Sequence, residues 1–192
     1  MPRSGSTWLF NAARLLLARS GQSVRSAWVA DYDPGAAPAC AVHLVKLHWP
    51  EQLVFPSDLV LTTRRDIADC VASLVRMGWV GDDPAAIRAA ALRQQIVYRH
   101  WQERSRLEVL YRDILGAPAG EVQRIAACLG VTITGSQAGE LAARLAAMTP
   151  PDAGSFDPVT LLHPRHRSGA GPSRITAAEV ADILASGGQN AT

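Results

Sequence analysis

Four short segments of this chain carry residue types that can handle a phosphorylated ligand. The first is Pro2-Arg3-Ser4-Gly5-Ser6-Thr7-Trp8-Leu9. Gly5 lets the backbone close around an anion. Ser6 and Thr7 add hydroxyl donors, and Arg3 adds a planar, charged fork. The residues that follow read as a helix, whose unpaired first N–H groups and positive dipole end favour negative charge. The second segment is Val45-Lys46-Leu47-His48-Trp49-Pro50. Lys46 and His48 are two apart, so they share one face of an extended chain. A neutral imidazole beside an ammonium can take a hydroxyl proton while charge builds on a leaving group. The third segment, Thr63-Arg64-Arg65-Asp66-Ile67-Ala68-Asp69-Cys70-Val71-Ala72-Ser73, joins a strand to a helix. Arg65 at the strand end and Ser73 two turns into the helix can meet on a second anion, with Arg64 as a further donor. Asp66 and Asp69 suit helix capping and the orientation of the arginines. The fourth region pairs Tyr111, in Leu110-Tyr111-Arg112-Asp113, with the basic stretch His166-Arg167-Ser168-Gly169. Each segment also has a plainer reading: a helix cap, a solvated strand end, a capped helix with surface arginines, an aromatic closing a strand, an exposed basic loop.

The elements that must position these segments follow from periodicity. Apolar residues recur at helical spacing over 6–20, and Gly21 supplies a stop. Strands are expected at 24–30, 41–47, 59–63 and 107–111. Helices are expected at 67–76, at 84–103 with Pro84 in the first turn, at 119–129 ending on Gly130, and at 136–148 ahead of Pro150 and Pro151. Thr176 and Glu179 form a capping box for a last helix to residue 184. Loops are expected at 31–39 and over the Pro-, Gly-, His- and Arg-rich stretch 151–173. Short strands alternating with helices predict an α/β domain with a largely parallel sheet. The 192 residues suffice for one domain, taken as 1–186, with a disordered tail over 187–192.

Composition excludes some classes. Hydrophobic residues make up 48% and charged residues 19%, as in ordinary globular domains. A net charge of +2 gives no basic face of the size a nucleic-acid binder needs. The basic residues fall instead in small sets beside the candidate anion loops. Cys40, Cys70 and Cys128 are odd in number and lack metal-ligand spacing, which predicts reduced thiols, a cytoplasmic location and no metal. No apolar run is long enough to span a membrane, and no export signal is evident.

The first loop lacks the early Gly and the Lys of the nucleoside-triphosphate motif. It resembles instead the 5′-phosphate loop of sulfotransferases that use 3′-phosphoadenosine 5′-phosphosulfate. Lys46-Leu47-His48-Trp49-Pro50 is similar to the Lys-x-His-x-Pro segment of the cytosolic-type enzymes. Arg65 to Ser73 is similar to their Arg-(Asn/Asp)-x-x-Asp-x-x-x-Ser segment. The resemblance runs in order from the first residues to about Arg174 and is strongest at 2–9, 46–50 and 65–73. It implies a three-layer, P-loop-like fold. It implies His48 as general base, and Lys46 with Arg3 stabilising the transferring group. It places the 5′-phosphate on Arg3, Ser4, Gly5, Ser6 and Thr7, and the adenine against Trp8 and Tyr111. The 3′-phosphate falls to Arg65, Ser73, Arg167, Ser168 and Gly169. The product would be adenosine 3′,5′-bisphosphate, the acceptor a small-molecule or glycan hydroxyl or an amine. Two departures stand out: Arg112 replaces the family's Glu, and Gly171-Pro172-Ser173 replaces its Gly-x-Trp.

A phosphate loop of this kind usually follows a buried strand. Here Met1 immediately precedes Pro2, so either the sheet lacks that strand or the chain is truncated upstream; truncation is the expectation. Two rival functions follow. One is an inactive relative that holds the nucleotide without transfer. The other is a small-metabolite phosphotransferase, which would want a magnesium carboxylate and a loop Lys. The acceptor walls are expected in the segments 31–39, 77–84 and 151–164. Trp49, Trp79 and Trp101 carry no assigned role, and oligomeric state is open.

Overall fold

A computed structural model describes residues 1–33, 35, 42–53, 55–152, 154, 156–164 and 175–186. The chain is a mixed α/β protein with two small parallel sheets flanked by helices. Helix α1 (Ser6–Arg19) opens it and leads to strand β1 (Val24–Trp28), a 3-10 turn (Val29–Asp31) and strand β2 (Val42–Lys46). A second 3-10 turn (Pro50–Gln52) precedes β3 (Leu61–Arg64), α2 (Ile67–Arg76) and α3 (Pro84–Gln102). Then come β4 (Leu107–Leu110), α4 (Tyr111–Gly116), α5 (Pro118–Cys128), α6 (Gly135–Ala146) and α7 (Ala177–Ser186).

Strand β1 pairs in parallel with β2, from Val24↔Val42 to Trp28↔Lys46. Strand β3 pairs in parallel with β4, from Leu61↔Leu107 to Arg64↔Leu110. Among the described residues the expected single sheet is therefore two separate pairs. The β3–β4 pair is short because helices follow closely: β4 runs straight into α4, and β3 into the Asp66 cap of α2, whose carboxylate accepts from the N–H groups of Ala68 and Asp69.

Helix α1 is central because it is apolar on most of its girth. Leu9, Phe10, Ala12, Ala13, Leu15, Leu16 and Leu17 are all buried. It packs on β1, β2, β3, α5 and α6. Its core continues through Val109, Val122, Ile125, Ala138 and Leu141. A second core joins α2, α3 and α7 through Val71, Val75, Ile87, Ala91 and Val180. A third, small cluster gathers Met1, Cys70, Val97 and Trp101.

Two local expectations change. Strand β1 stops at Trp28, where the chain turns into a 3-10 helix instead of continuing to residue 30. Tyr111 does not close a strand; it is the first residue of α4, a short helix that periodicity over six residues could not reveal. The box at Thr176 and Glu179 forms as expected, each residue bonding the other's backbone N–H. The tail over 187–192 lies outside the described residues, as does most of the 31–39 loop.

Candidate functional site

The loop ahead of α1 is built by two left-handed residues. Arg3 has φ 63° and Gly5 has φ 99°. Gly5 is required there twice over: a Cβ would sit 2.9 Å from Ile114 Cδ1 and 3.1 Å from Tyr111 Cδ2. Gly5 caps α1 without a side-chain partner, and the first turn holds no acidic residue. The first helical bond runs from Leu9 N–H to the Gly5 carbonyl. The N–H groups of Ser6, Thr7 and Trp8 are thus the orphan donors of this helix end.

Arg3 is a strained non-glycine residue, and its neighbours hold it. Its Nε donates to Ser73 Oγ at 2.8 Å, and Arg65 Nη1 donates to its carbonyl oxygen at 3.4 Å. The loop and the strand-to-helix junction expected to bind the other phosphate are therefore in direct contact. Arg65 also pairs with Asp69 at 3.3 Å and lies over the Tyr111 ring, 4.3 Å from its centre. Its Nε is buried and has no hydrogen-bond partner among the described residues.

Lys46 is 9% exposed at the end of β2, and its Nζ donates to Thr7 Oγ1 at 2.6 Å. Burial, then the nearby Arg3 guanidinium, pushes its ammonium down to about 7. Arg3 is lowered as well, first by burial and then by Arg65. Three cations crowd together here, each disfavouring the charge of the next.

His48 stands two residues beyond Lys46 and is clamped by its main chain. Its N–H donates to Gln52 Oε1 at 3.0 Å, and its carbonyl accepts from Trp101 Nε1 at 3.2 Å. The imidazole rests edge-on against Trp28, with ring centres 5.2 Å apart. One cavity of about 170 Å³ is lined by Arg3, Gly5, Ser6, Thr7, Trp8, Lys46, His48, Arg65, Trp79 and Tyr111. None of those residues is a carboxylate. A space of this size suits the anionic end of a ligand better than a whole nucleotide. Among the described residues no set of His, Cys, Asp and Glu is grouped to hold a metal ion, and no helix is long and apolar enough to cross a membrane.

Most of the expected site residues are thus brought together, but two have other employment. The Ser4 hydroxyl is fully buried, bonded to the Met1 carbonyl and to Thr63 Oγ1, each at 2.6 Å. Its side chain fixes the loop to the end of β3, leaving only its backbone for a ligand. Ser73 is 4% exposed and takes the Arg3 bond, so it positions Arg3 in this structure. Trp8 lines the cavity and also packs on the α1 core. Arg167, Ser168 and Gly169 lie outside the described residues.

Sequence reasoning missed Trp28, Gln52 and the placing of three tryptophans. Trp79 lines the cavity, Trp101 anchors His48, and Trp49 lies under Arg93, 3.9 Å from the guanidinium carbon. The spacing Trp49-x-x-Gln52, with a polar residue three on from a turn start, is a signal by which Gln52 could have been found. Compared with models of known protein families and with curated protein sequences, the chain matches none.

Proposed function

We propose that this protein is a sulfotransferase that binds 3′-phosphoadenosine 5′-phosphosulfate and transfers its sulfuryl group to a hydroxyl or amine acceptor. One observation carries the reading: a single carboxylate-free cavity gathers Arg3, the orphan N–H groups of α1, Lys46, His48, Arg65 and Tyr111. Such a site fits the anionic end of a phosphorylated ligand. Arg65 has a buried Nε–H with no hydrogen-bond partner among the described residues, and the Gly5 cradle has no room for a Cβ. When bound, the phosphosulfate would supply an activated sulfuryl group and a phosphate leaving group.

The residues divide the work. The N–H groups of residues 5 to 8 and the Arg3 guanidinium hold the 5′-phosphate. Arg65, presented by its stack on Tyr111, holds the 3′-phosphate, and Arg167 with Gly169 completes that grip. Lys46 donates to the oxygen on which charge develops. His48 accepts the acceptor's proton, its ring held by Trp28 and its backbone by Gln52 and Trp101. Trp79 forms part of the wall that excludes water. The proposed setting is a three-layer, P-loop-like domain in the cytoplasm.

Thermal stabilisation by adenosine 3′,5′-bisphosphate, set against ATP with magnesium, tests the ligand. Preference for ATP refutes the reading and favours a phosphotransferase. A screen of hydroxyl and amine acceptors with the phosphosulfate donor tests the reaction. Tight bisphosphate binding with no transfer to any acceptor would leave a nucleotide-holding protein in place of an enzyme.

A further inference from the structure

Lys46 and Thr7 meet in the wall of the cavity, and no carboxylate stands among the residues that line it. Lys46 is the last residue of β2, its stem is buried, and its Nζ donates to Thr7 Oγ1 at 2.6 Å. An acid in that wall would hold the lysine charged. Burial and then Arg3 act the other way and bring its ammonium down to about 7. Near neutral pH a large share of the molecules therefore carry Lys46 as a free amine. The contact then runs in reverse, with the Thr7 hydroxyl donating to Nζ.

Thr7 is held more firmly than its place at a helix start requires. Its carbonyl accepts from Asn11 Nδ2 at 2.9 Å. The same Nδ2 donates to the Thr160 carbonyl at 2.7 Å, and Asn11 Oδ1 accepts from Arg14 Nε at 3.2 Å. Asparagine is a poor helix former, and this one is 2% exposed in the middle of α1. Its bonds lock the first turn of α1 to the turn that Asp157 caps at Thr160. Trp8, the residue after Thr7, offers one of the orphan N–H groups of this helix end, and Arg3 lies in the same wall. A fixed hydroxyl, an amine in contact with it and donors beside it are the parts that attack on a carbonyl carbon needs.

We propose that Thr7 and Lys46 are a nucleophile and its base, and give this protein a second activity: hydrolysis of small, uncharged, activated carboxylic esters through an acyl group carried on Thr7. Lys46 Nζ takes the hydroxyl proton as Thr7 Oγ1 bonds to the carbonyl carbon. The negative charge passes to the carbonyl oxygen, for which the Trp8 N–H and the Arg3 guanidinium are the donors. The carbonyl re-forms, the bond to the leaving oxygen breaks, and Lys46 gives its proton to that oxygen. Water then attacks the acyl carbon while Lys46 takes its proton. Thr7 Oγ1 departs, recovers that proton, and a carboxylic acid is released. The cavity of about 170 Å³ keeps the substrate small. The substrate must also be uncharged, because an anion beside Lys46 restores its proton and removes the base. This chemistry therefore belongs to the nucleotide-free protein and leaves the role of Lys46 toward a bound phosphosulfate as it was.

The experiment uses the full chain with no nucleotide present. p-Nitrophenyl acetate reports turnover by release of p-nitrophenol. p-Nitrophenyl dimethylcarbamate traps the intermediate, because a carbamoyl ester hydrolyses slowly. After an acid quench and digestion with trypsin, fragmentation of the peptide Ser4–Arg14 should place the carbamoyl group on Thr7. Modification of Met1, Ser6, Lys46 or His48 with Thr7 untouched overturns the proposal, and so does no modification at all. Thr7→Val and Lys46→Met should each lower p-nitrophenol release above the buffer rate at least about 100-fold, and Thr7→Ser should retain it. Undiminished release from Thr7→Val or from Lys46→Met overturns the pair. If a substituted chain fails to fold, as its melting curve shows, the position of the carbamoyl group on the wild-type chain decides alone. None of these readouts involves the nucleotide, so they stand or fall apart from the sulfotransferase reading.

Discussion

Replacing Lys46 with Met should make the protein more stable and a worse binder at once. The ammonium is buried, and its titration falls from 10.5 to about 7. Each tenfold change in proton affinity is 1.36 kcal/mol, so the shift bounds the cost of the buried charge at about 5 kcal/mol. Relaxation and the loss of the bond to Thr7 reduce the expected gain to about 1–2 kcal/mol. For a chain of this size that is a rise in Tm of about 2–8 °C. The gain must depend on pH. Between about 7 and 10.5 the unfolded wild-type chain holds a proton on this lysine that the folded chain has released. Wild-type stability therefore climbs with pH across that window. The Met variant lacks this slope, so its advantage is greatest below pH 7 and vanishes near 10.5. The assay is thermal melting of both proteins from pH 6 to 10.5, with adenosine 3′,5′-bisphosphate titrated at pH 6. Removing one charge-assisted contact should weaken that binding about 10- to 100-fold. A Tm difference that ignores pH, or an unchanged affinity, refutes the placing of Lys46 as a desolvated cation in an anion site.

Three more substitutions separate the roles of the cavity residues. His48→Ala should lower turnover by about two to four orders of magnitude while bisphosphate affinity measured by calorimetry stays near wild type; intact turnover would show that His48 is not the base. Arg65→Ala should weaken adenosine 3′,5′-bisphosphate far more than adenosine 5′-phosphate in the same titration, whereas equal losses would remove Arg65 from the 3′-phosphate. Gly5→Ala places a methyl 2.9 Å from Ile114 in a left-handed backbone, which should cost about 1–3 kcal/mol and abolish nucleotide binding; a wild-type melting curve would show that the loop relaxes without loss.

The elements were readable wherever their signals were local. Asp66 foretold the start of α2, Pro84 that of α3, and Thr176 with Glu179 the last helix, because each cap is a short-range bond between residues two or three apart. Asp69 orients Arg65 from one helical turn away, again a local relation. The convergence of the loops was implied by the family resemblance, but not its form. The bond from Arg3 to Ser73 spans seventy residues, and that from Lys46 to Thr7 thirty-nine. No spacing rule encodes such distances; they follow from how α1 packs on β2 and β3. The short helix α4 escaped for another reason. Its six residues are too few to show a period, and it exists because Tyr111 and Ile114 pack against Gly5. The division of the sheet into two pairs lay beyond the sequence too, since an alternating pattern says which residues form strands but not which edges meet.

The indole of Trp101 gives His48 an unexpected dependency. That bond comes from the last turn of α3, which ends one residue later at Gln102. Trp101 is also buried in the small cluster with Met1, Cys70 and Val97, so the tether on the main chain of His48 lasts only as long as that cluster stays packed. On the proposed reading of His48 as the base, residues of that cluster, none of them in the cavity wall, set how warm the protein can work.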